Sequence, residues 1–291
     1  MTEPTTTPTT AQYYTSTLLR LPERTVALVL AGGRGTRLRA TDDPELKSTP
    51  KVLVPIDIDT TSGPAPMLGH ALTQLTTVGV RRIAVLTSSD PATGAQQVED
   101  YALTHCARQV ELTLHREHHP LGTAGAAYAA LAHLPDTPLA VVLPADTLIP
   151  YTLLPAVVAA HLARPAAITW TVTTDPGPEA QNTGRLFLSP DGEQVVHALE
   201  GVDATLPAGT RHNLRQATST GAVILTPDPF RALFEQYAQR QACPGEADLY
   251  RQFMPWAISQ GHAVGAYDLR APAPDLGTPD RLAAFGRTAA A

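Results

Sequence analysis

The sequence predicts an α/β fold built on a doubly wound, mostly parallel sheet, with a smaller β-rich part inserted in its second half. Three observations predict it. Residues 25–31, TVALVLA, form an unbroken apolar, β-branched run that ends in glycines. From there to residue 143, strand-like runs alternate with segments of helix length. Beyond residue 166, short strand-like runs follow one another between Pro, Gly and Asp turns.

The run at 25–31 has no polar alternation, as expected of a strand buried on both faces. The next apolar pattern, 67–78, has helical period, and 82–87 is a strand. Residues 92–106 are a helix, 110–114 a strand, 122–134 an Ala-rich helix and 139–143 a strand. Strands separated by helices of this length imply βαβ units. Right-handed crossovers then bring Ala31, Thr87 and Leu143 to one edge of the sheet, the edge where open α/β sheets bind ligands. In the second half, 166–173, 184–188, 195–199 and 221–226 are strand-like. Residues 229–240 and 246–260 are expected as helices, 263–269 as a closing strand and 279–285 as a last short helix. The expected organisation is a flexible Thr/Pro-rich arm at 1–22 and a domain at 23–291. The domain divides into halves at about 23–150 and 151–291.

The chain has 291 residues, of which 43% are apolar and 16% charged, with a formal net charge of -6. That length buries a full core. A modestly acidic surface argues against non-specific nucleic-acid binding. Cys106 and Cys243 fit neither a metal spacing nor a disulfide framework, and are expected as reduced thiols. No apolar run is long enough to span a bilayer. The first residues, MTEPTTTPTTAQYYTST, lack the basic and apolar regions of a secretory signal. A cytoplasmic location away from membranes is the expectation. Oligomeric state is not written in the sequence, and a homodimer is compatible with it.

The glycines that end the first strand, Gly32, Gly33 and Gly35, allow close backbone approach and can turn N–H groups towards phosphate. The spacing is neither G-x-G-x-x-G nor G-x-x-x-x-G-K-[ST], so the dinucleotide and P-loop fingerprints fail. The surrounding strings are more specific. Gly32-Gly33-Arg34-Gly35-Thr36-Arg37-Leu38 is followed by Pro50-Lys51-Val52-Leu53-Val54-Pro55-Ile56. Next come Pro120-Leu121-Gly122-Thr123-Ala124-Gly125-Ala126 and Pro144-Ala145-Asp146-Thr147-Leu148. Ser219-Thr220-Gly221 and Asp275-Leu276-Gly277-Thr278-Pro279 complete the series. In this order, across about residues 25–288, the chain resembles the sugar-1-phosphate nucleotidyltransferases, the NDP-sugar pyrophosphorylases.

The resemblance implies a Rossmann-like, GT-A-like fold and Mg²⁺-dependent transfer of a nucleotide from a nucleoside triphosphate to a sugar 1-phosphate, with release of pyrophosphate. It implies catalytic roles for Arg37 and Lys51, and a nucleotide site made by Leu30, Ala31, Gly32, Gly33, Gly35, Thr36, Gly122, Thr123, Ala124, Gly125 and Ala145. It implies acceptor binding by Gly184, Glu200, Ser219 and Thr220, and metal binding by Asp146 and Asp275. The GTAGA wording is closest to guanylyltransferases acting on mannose or heptose 1-phosphates, which favours GTP. The physics agrees: nucleotidyl transfer gathers several negative charges at one point and needs cations and metal to neutralise them.

Some positions depart from the family. Gly201 stands where a lysine approaches the sugar phosphate, leaving Arg185, Arg211 or Arg215 to replace it. Ser219 stands for an asparagine, and Ala145 precedes Asp146 where glycine is usual. The loop between Arg37 and Lys51 is longer than the common form and holds Lys47, a rival to Lys51. These differences keep two other readings open: transfer onto a non-sugar or cyclitol phosphate, and a silent sensor of NDP-sugars. His115, His118 and His119 are expected as solvated loop histidines, and Trp170 as a core residue.

Overall fold

The computed structural model describes residues 24–58, 63–106, 110–134, 136–164, 166–175, 185–199, 213–240 and 246–289. The arm expected at 1–22 and Cys243 lie outside them. The first half runs β1 (Thr25–Leu30), α1 (Pro44–Ser48), β2 (Pro55–Ile56), β3 (Ala65–Pro66), α2 (Met67–Thr77), β4 (Arg82–Ser88), α3 (Ala95–Cys106), β5 (Glu111–Glu117), α4 (Gly122–Ala132) and β6 (Leu139–Pro144). The second half runs α5 (Leu154–Leu162), β7 (Ile168–Thr173), β8 (Arg185–Leu188), β9 (Val195–Leu199), β10 (Arg215–Leu225), α6 (Pro227–Arg240), α7 (Met254–Ser259), β11 (Val264–Asp268) and α8 (Pro279–Ala289).

Among the described residues, nine strands form one mixed sheet in the order β11-β7-β10-β6-β1-β4-β5, with β8 and β9 branching from β10. The predicted parallel core is present: β1 pairs in parallel with β4 and β6, and β4 with β5. Leu30 stands beside Leu86 and Pro144, so the carboxyl ends of β1, β4 and β6 share one edge. Side chains of β1 alternate between two cores. Val26 and Leu28 pack on the face covered by α4 and α6, while Ala27 and Val29 pack on the face covered by α2 and α3. Burial on both faces is why β1 carries no polar residue after Thr25.

Four local readings change. The strand expected at 110–114 runs on to Glu117, because pairing of His115, Arg116 and Glu117 with the end of β4 outweighs their polarity. His115 is therefore a half-buried strand residue, not a loop residue. Its ring lies 5.6 Å from that of His133, and burial, His133 and His118 lower its pKa in that order. His118 and His119 are exposed in the turn, as expected. The strand expected at 221–226 is the 11-residue β10. It continues through Ser219-Thr220-Gly221 by an irregularity in register there, with Gly221 at φ +80°. The expected helix at 246–260 is a π turn, Leu249–Phe253, followed by α7. Pro255 has no N–H for the ladder and sits in the first turn of α7. The loop after Arg37 contains the short helix α1. Asp43 accepts from Glu45 N at 2.9 Å and Pro44 occupies the first turn.

Trp170 is core, with 1% of its surface exposed. His161 is equally buried, between the hydroxyls of Thr169 and Thr226 at 2.9 Å each, and burial lowers its pKa from 6.5 to about 4. Between those values the unfolded chain carries a proton that the folded chain does not. Stability is therefore fully present above pH 6.5 and falls as the pH drops towards 4, by up to about 3 kcal/mol from this group. Urea unfolding at pH 7 and pH 4.5 should show a smaller difference for His161→Gln than for the natural chain. Equal differences would contradict this assignment.

Candidate active site

The carboxyl edge of β1, β4 and β6 opens into a cleft of about 920 Å³. The glycine loop forms one lip. A Cβ at Gly32 would stand 3.1 Å from the backbone of Thr87 and Ser88, so glycine lets the loop rest on the end of β4. That end is braced by buried Glu99, which accepts from Thr87 Oγ1 at 2.5 Å and from Arg116 Nε at 2.8 Å. Arg34 pins the loop by donating to Asp90 at 2.6 Å. Leu30, Gly32, Gly33 and Arg37 face the cleft. Thr36 is exposed beside them, and Ala31 is buried.

Gly35 serves Lys51 rather than the cleft directly. It has φ +64°, and the Lys51 stem passes 3.0 Å from where its Cβ would be. Lys51 opens a short 3₁₀ turn after Pro50 and ion-pairs with Asp146, which follows β6. Both side chains are largely shielded, at 14% and 16% exposed. Lys47, the rival, is a half-exposed cation on α1 that pairs with Asp42 at 3.9 Å. It does not line the cleft.

Asp275 reaches the same place from the far end of the chain. Thr147 and Asp275 form an antiparallel bridge. Leu276 N donates to Asp146 O at 3.0 Å, and Leu148 N to Pro274 O at 3.0 Å. The Asp275 carboxylate accepts Gly277 N at 2.8 Å and Arg281 Nη1 at 2.5 Å. Around the point where a Cβ on Gly277 would stand lie Asp275 Oδ1 at 2.7 Å, Lys51 Nζ at 2.8 Å and Asp146 Oδ2 at 3.5 Å. One cation and two carboxylates, distant in sequence, thus converge on one small volume.

The opposite wall is the irregular middle of β10. Ser219 Oγ accepts from Trp170 Nε1 at 2.7 Å and from Gly221 N at 3.1 Å. With two N–H groups on that oxygen, its own O–H is left to donate towards the cleft it lines. Thr220 differs: its hydroxyl donates to Thr171 O at 3.0 Å inside the sheet, so its side chain is spent there. Gly184, Glu200, Gly201 and Arg211 lie outside the described residues. Of the arginines weighed as replacements at Gly201, Arg215 pairs with Asp268 at 3.7 Å, and neither it nor Arg185 lines the cleft.

The segment at 122–125 has a packing role beside its place in the cleft wall. Gly122 and Thr123 line the cleft, but a Cβ at Gly122 would fall 2.6 Å from the backbone of Ala247. Ala247 N donates to Leu121 O at 2.7 Å and Ala124 N to Ala247 O at 2.8 Å. Thr123 Oγ1 accepts Leu249 N at 2.7 Å. Gly122 thus lets a strip from the second half of the chain zip onto the start of α4. Ala124 and Ala145 are buried, and a Cβ on Gly125 would stand 2.7 Å from the Cβ of Leu121.

Sequence reasoning missed several cleft residues. Glu117 ends β5, accepts Leu121 N at 3.3 Å, and has its pKa raised chiefly by burial and further by Glu246. Tyr250 closes the floor by donating to Gly221 O at 2.5 Å. Arg281 stands on the first turn of α8. A polar residue at a strand's carboxyl end was the available signal for Glu117; nothing local marked the others.

Residues 27–180 match the MobA-like NTP transferase domain. The bifunctional protein GlmU of Mycolicibacterium paratuberculosis is 33% identical over 187 residues, covering 63% of this chain and 34% of that protein. The chain thus spans about a third of the length of this curated relative. A mannose-1-phosphate guanylyltransferase of Mycobacterium tuberculosis is 35% identical over 99 residues, covering 34% of this chain and 24% of that one. The inositol-1-phosphate CTP transferase from T. maritima superposes with a TM-score of 0.66 at 17% identity, covering 91% of this chain and 95% of that one. Its likeness is one of fold. No helix among the described residues is long and apolar enough to cross a membrane.

Proposed function

The chain belongs to the MobA-like NTP transferase family, and from that premise we propose that it joins GTP and a sugar 1-phosphate into an NDP-sugar and pyrophosphate. The observation that carries the proposal is the convergence of Lys51, Asp146 and Asp275 around Gly277, at the ligand edge of the sheet, in a cleft that the glycine loop also lines.

In the proposed reaction an oxygen of the acceptor's phosphate bonds to the α-phosphorus of GTP. The bond from that phosphorus to the oxygen bridging to the β-phosphorus breaks, and pyrophosphate leaves with the electron pair. The acceptor phosphate is already an anion, so no general base is required. The glycine-loop N–H groups and Arg37 hold the triphosphate, and Lys51 neutralises charge at the transferring phosphate. Asp146 and Asp275 suit a hard cation that takes few protein ligands and keeps waters and phosphate oxygens for the rest. Mg²⁺ held there would supply charge neutralisation between phosphate oxygens. Ser219 offers its O–H from the acceptor wall. We also infer a nucleotide half at about 23–150 and an acceptor half at about 151–291, the second lending Asp275 and the strip around Ala247 to the first.

Glu117 supports guanine. Guanine presents N1–H and N2–H side by side, which a carboxylate accepts together. Uracil and thymine present a single N–H between two carbonyl oxygens, which a carboxylate repels. Likeness to a guanylyltransferase, and the GTAGA segment beside Glu117, point the same way. Pyrophosphate release assayed with GTP, UTP, CTP, TTP and ATP against a panel of sugar 1-phosphates tests the reading, and GTP should give the highest kcat/KM. Glu117→Gln should lower kcat/KM for GTP at least tenfold while changing that for UTP about threefold or less. Equal losses for both would remove Glu117 from base selection, and no turnover with any pair would refute the transfer.

A further inference from the structure

We propose that Arg281 receives the acceptor's phosphate, an inference that rests on the nucleotidyl-transfer reading of this cleft. The phosphate end of the cleft carries two carboxylates, Asp146 and Asp275, and a phosphate dianion brought beside them needs a cation of its own. Lys51 pairs with Asp146 and serves the transferring phosphate in the proposed reaction. Four described arginines line the cleft. Arg34 is bound to Asp90 beside the glycine loop, Arg37 is exposed at that same loop, and Arg251 is exposed on the π turn. Arg281 differs in being shielded, with 14% of its side chain exposed, and in standing at the carboxylates themselves.

Its position follows from the chain's path. Asp275 is held across Thr147, Gly277 folds back onto the Asp275 carboxylate, and α8 begins at Pro279. Arg281 falls on the first turn and reaches back to Asp275 Oδ2 through Nη1 at 2.5 Å. A guanidinium has five N–H groups in a planar fork, and this contact uses one. The rest can take two phosphate oxygens together, with the stem already fixed by Asp275 so that little side-chain freedom is lost on binding.

In-line transfer decides which phosphate this is. The entering and leaving oxygens lie on opposite sides of the α-phosphorus. In the proposed reaction the glycine loop on β1 holds the triphosphate, and with it the leaving pyrophosphate. The entering phosphate therefore comes from beyond Asp146, the side where the Asp275 segment and Ser219 form the wall. Arg281 stands on that side as part of the Asp275 segment.

Calorimetric titration tests this on the natural chain, Arg281→Ala and Arg281→Lys. Mannose 1-phosphate and inorganic phosphate are the probes, each titrated with Mg²⁺ and a non-hydrolysable GTP analogue present at saturation and again without nucleotide. Arg281→Ala should weaken both phosphates at least tenfold while the affinity for the GTP analogue changes less than twofold. Arg281→Lys, which keeps the charge but loses the fork, should fall between. A GTP-analogue affinity that drops while phosphate binding holds would overturn the proposal, as would no change in either. A natural chain that binds the analogue but neither phosphate also overturns it. A natural chain that takes no nucleotide refutes the nucleotidyl-transfer reading instead, and titrations without nucleotide then still decide whether Arg281 binds phosphate.

Discussion

Asp146→Asn is expected to lower kcat by about a thousandfold and to flatten its dependence on Mg²⁺. The substitution keeps the shape of the side chain and removes one charge. That charge balances Lys51 within a pair whose members are 14% and 16% exposed, and it is half of the carboxylate set around Gly277. Removing one partner of a shielded pair leaves the other uncompensated. The stability cost should be small beside the catalytic one, about 1–2 kcal/mol, because Asn still accepts a hydrogen bond from Lys51. Steady-state rates across a Mg²⁺ series, with melting temperatures measured alongside, check both parts. Retained Mg²⁺-dependent turnover at more than a tenth of the natural rate would take Asp146 out of the proposed metal site.

Gly277→Ala should separate activity from stability more cleanly. The added methyl would occupy the point where Asp275 Oδ1, Lys51 Nζ and Asp146 Oδ2 converge. All three are ends of side chains, so the fold can give way without moving backbone. Gly277 is not among the described residues with positive φ, so alanine meets no backbone strain there. Replacing glycine at such a position lowers the entropy of the unfolded chain and stabilises by about 0.4–1 kcal/mol. The expected result is a melting temperature equal to or slightly above the natural one, with kcat down about a hundredfold. A variant that keeps half its kcat would show that the convergence around Gly277 is not the reacting centre.

The sequence made the donor side legible because its signals are local. A short β-branched apolar run without polar alternation, ending in glycines, reads as a doubly buried strand, and those glycines allow close backbone approach, here to Thr87 and Ser88. Asp146 was legible as a polar residue just past a buried strand. What stayed hidden depends on partners far away in the chain. Gly122 lines the cleft, and nothing local showed that its lack of a Cβ also makes room for Ala247. His115 was expected in the loop with His118 and His119, and pairing with β4 decided otherwise. Thr220 lines the cleft, and the sequence did not show that its hydroxyl turns inward to Thr171. Arg281 had no motif to mark it; only the return of the Asp275 segment to β6 shows what it stands beside.

The most direct test of nucleotidyl transfer follows each phosphorus of GTP. The chain is incubated with Mg²⁺, a panel of sugar 1-phosphates including mannose 1-phosphate, and GTP labelled either at the α or at the γ position. The α label should appear in a new sugar-linked product, and the γ label should leave as pyrophosphate. Label from the γ position on the acceptor or in orthophosphate, or an α label that stays in GTP with every acceptor, would contradict the proposal.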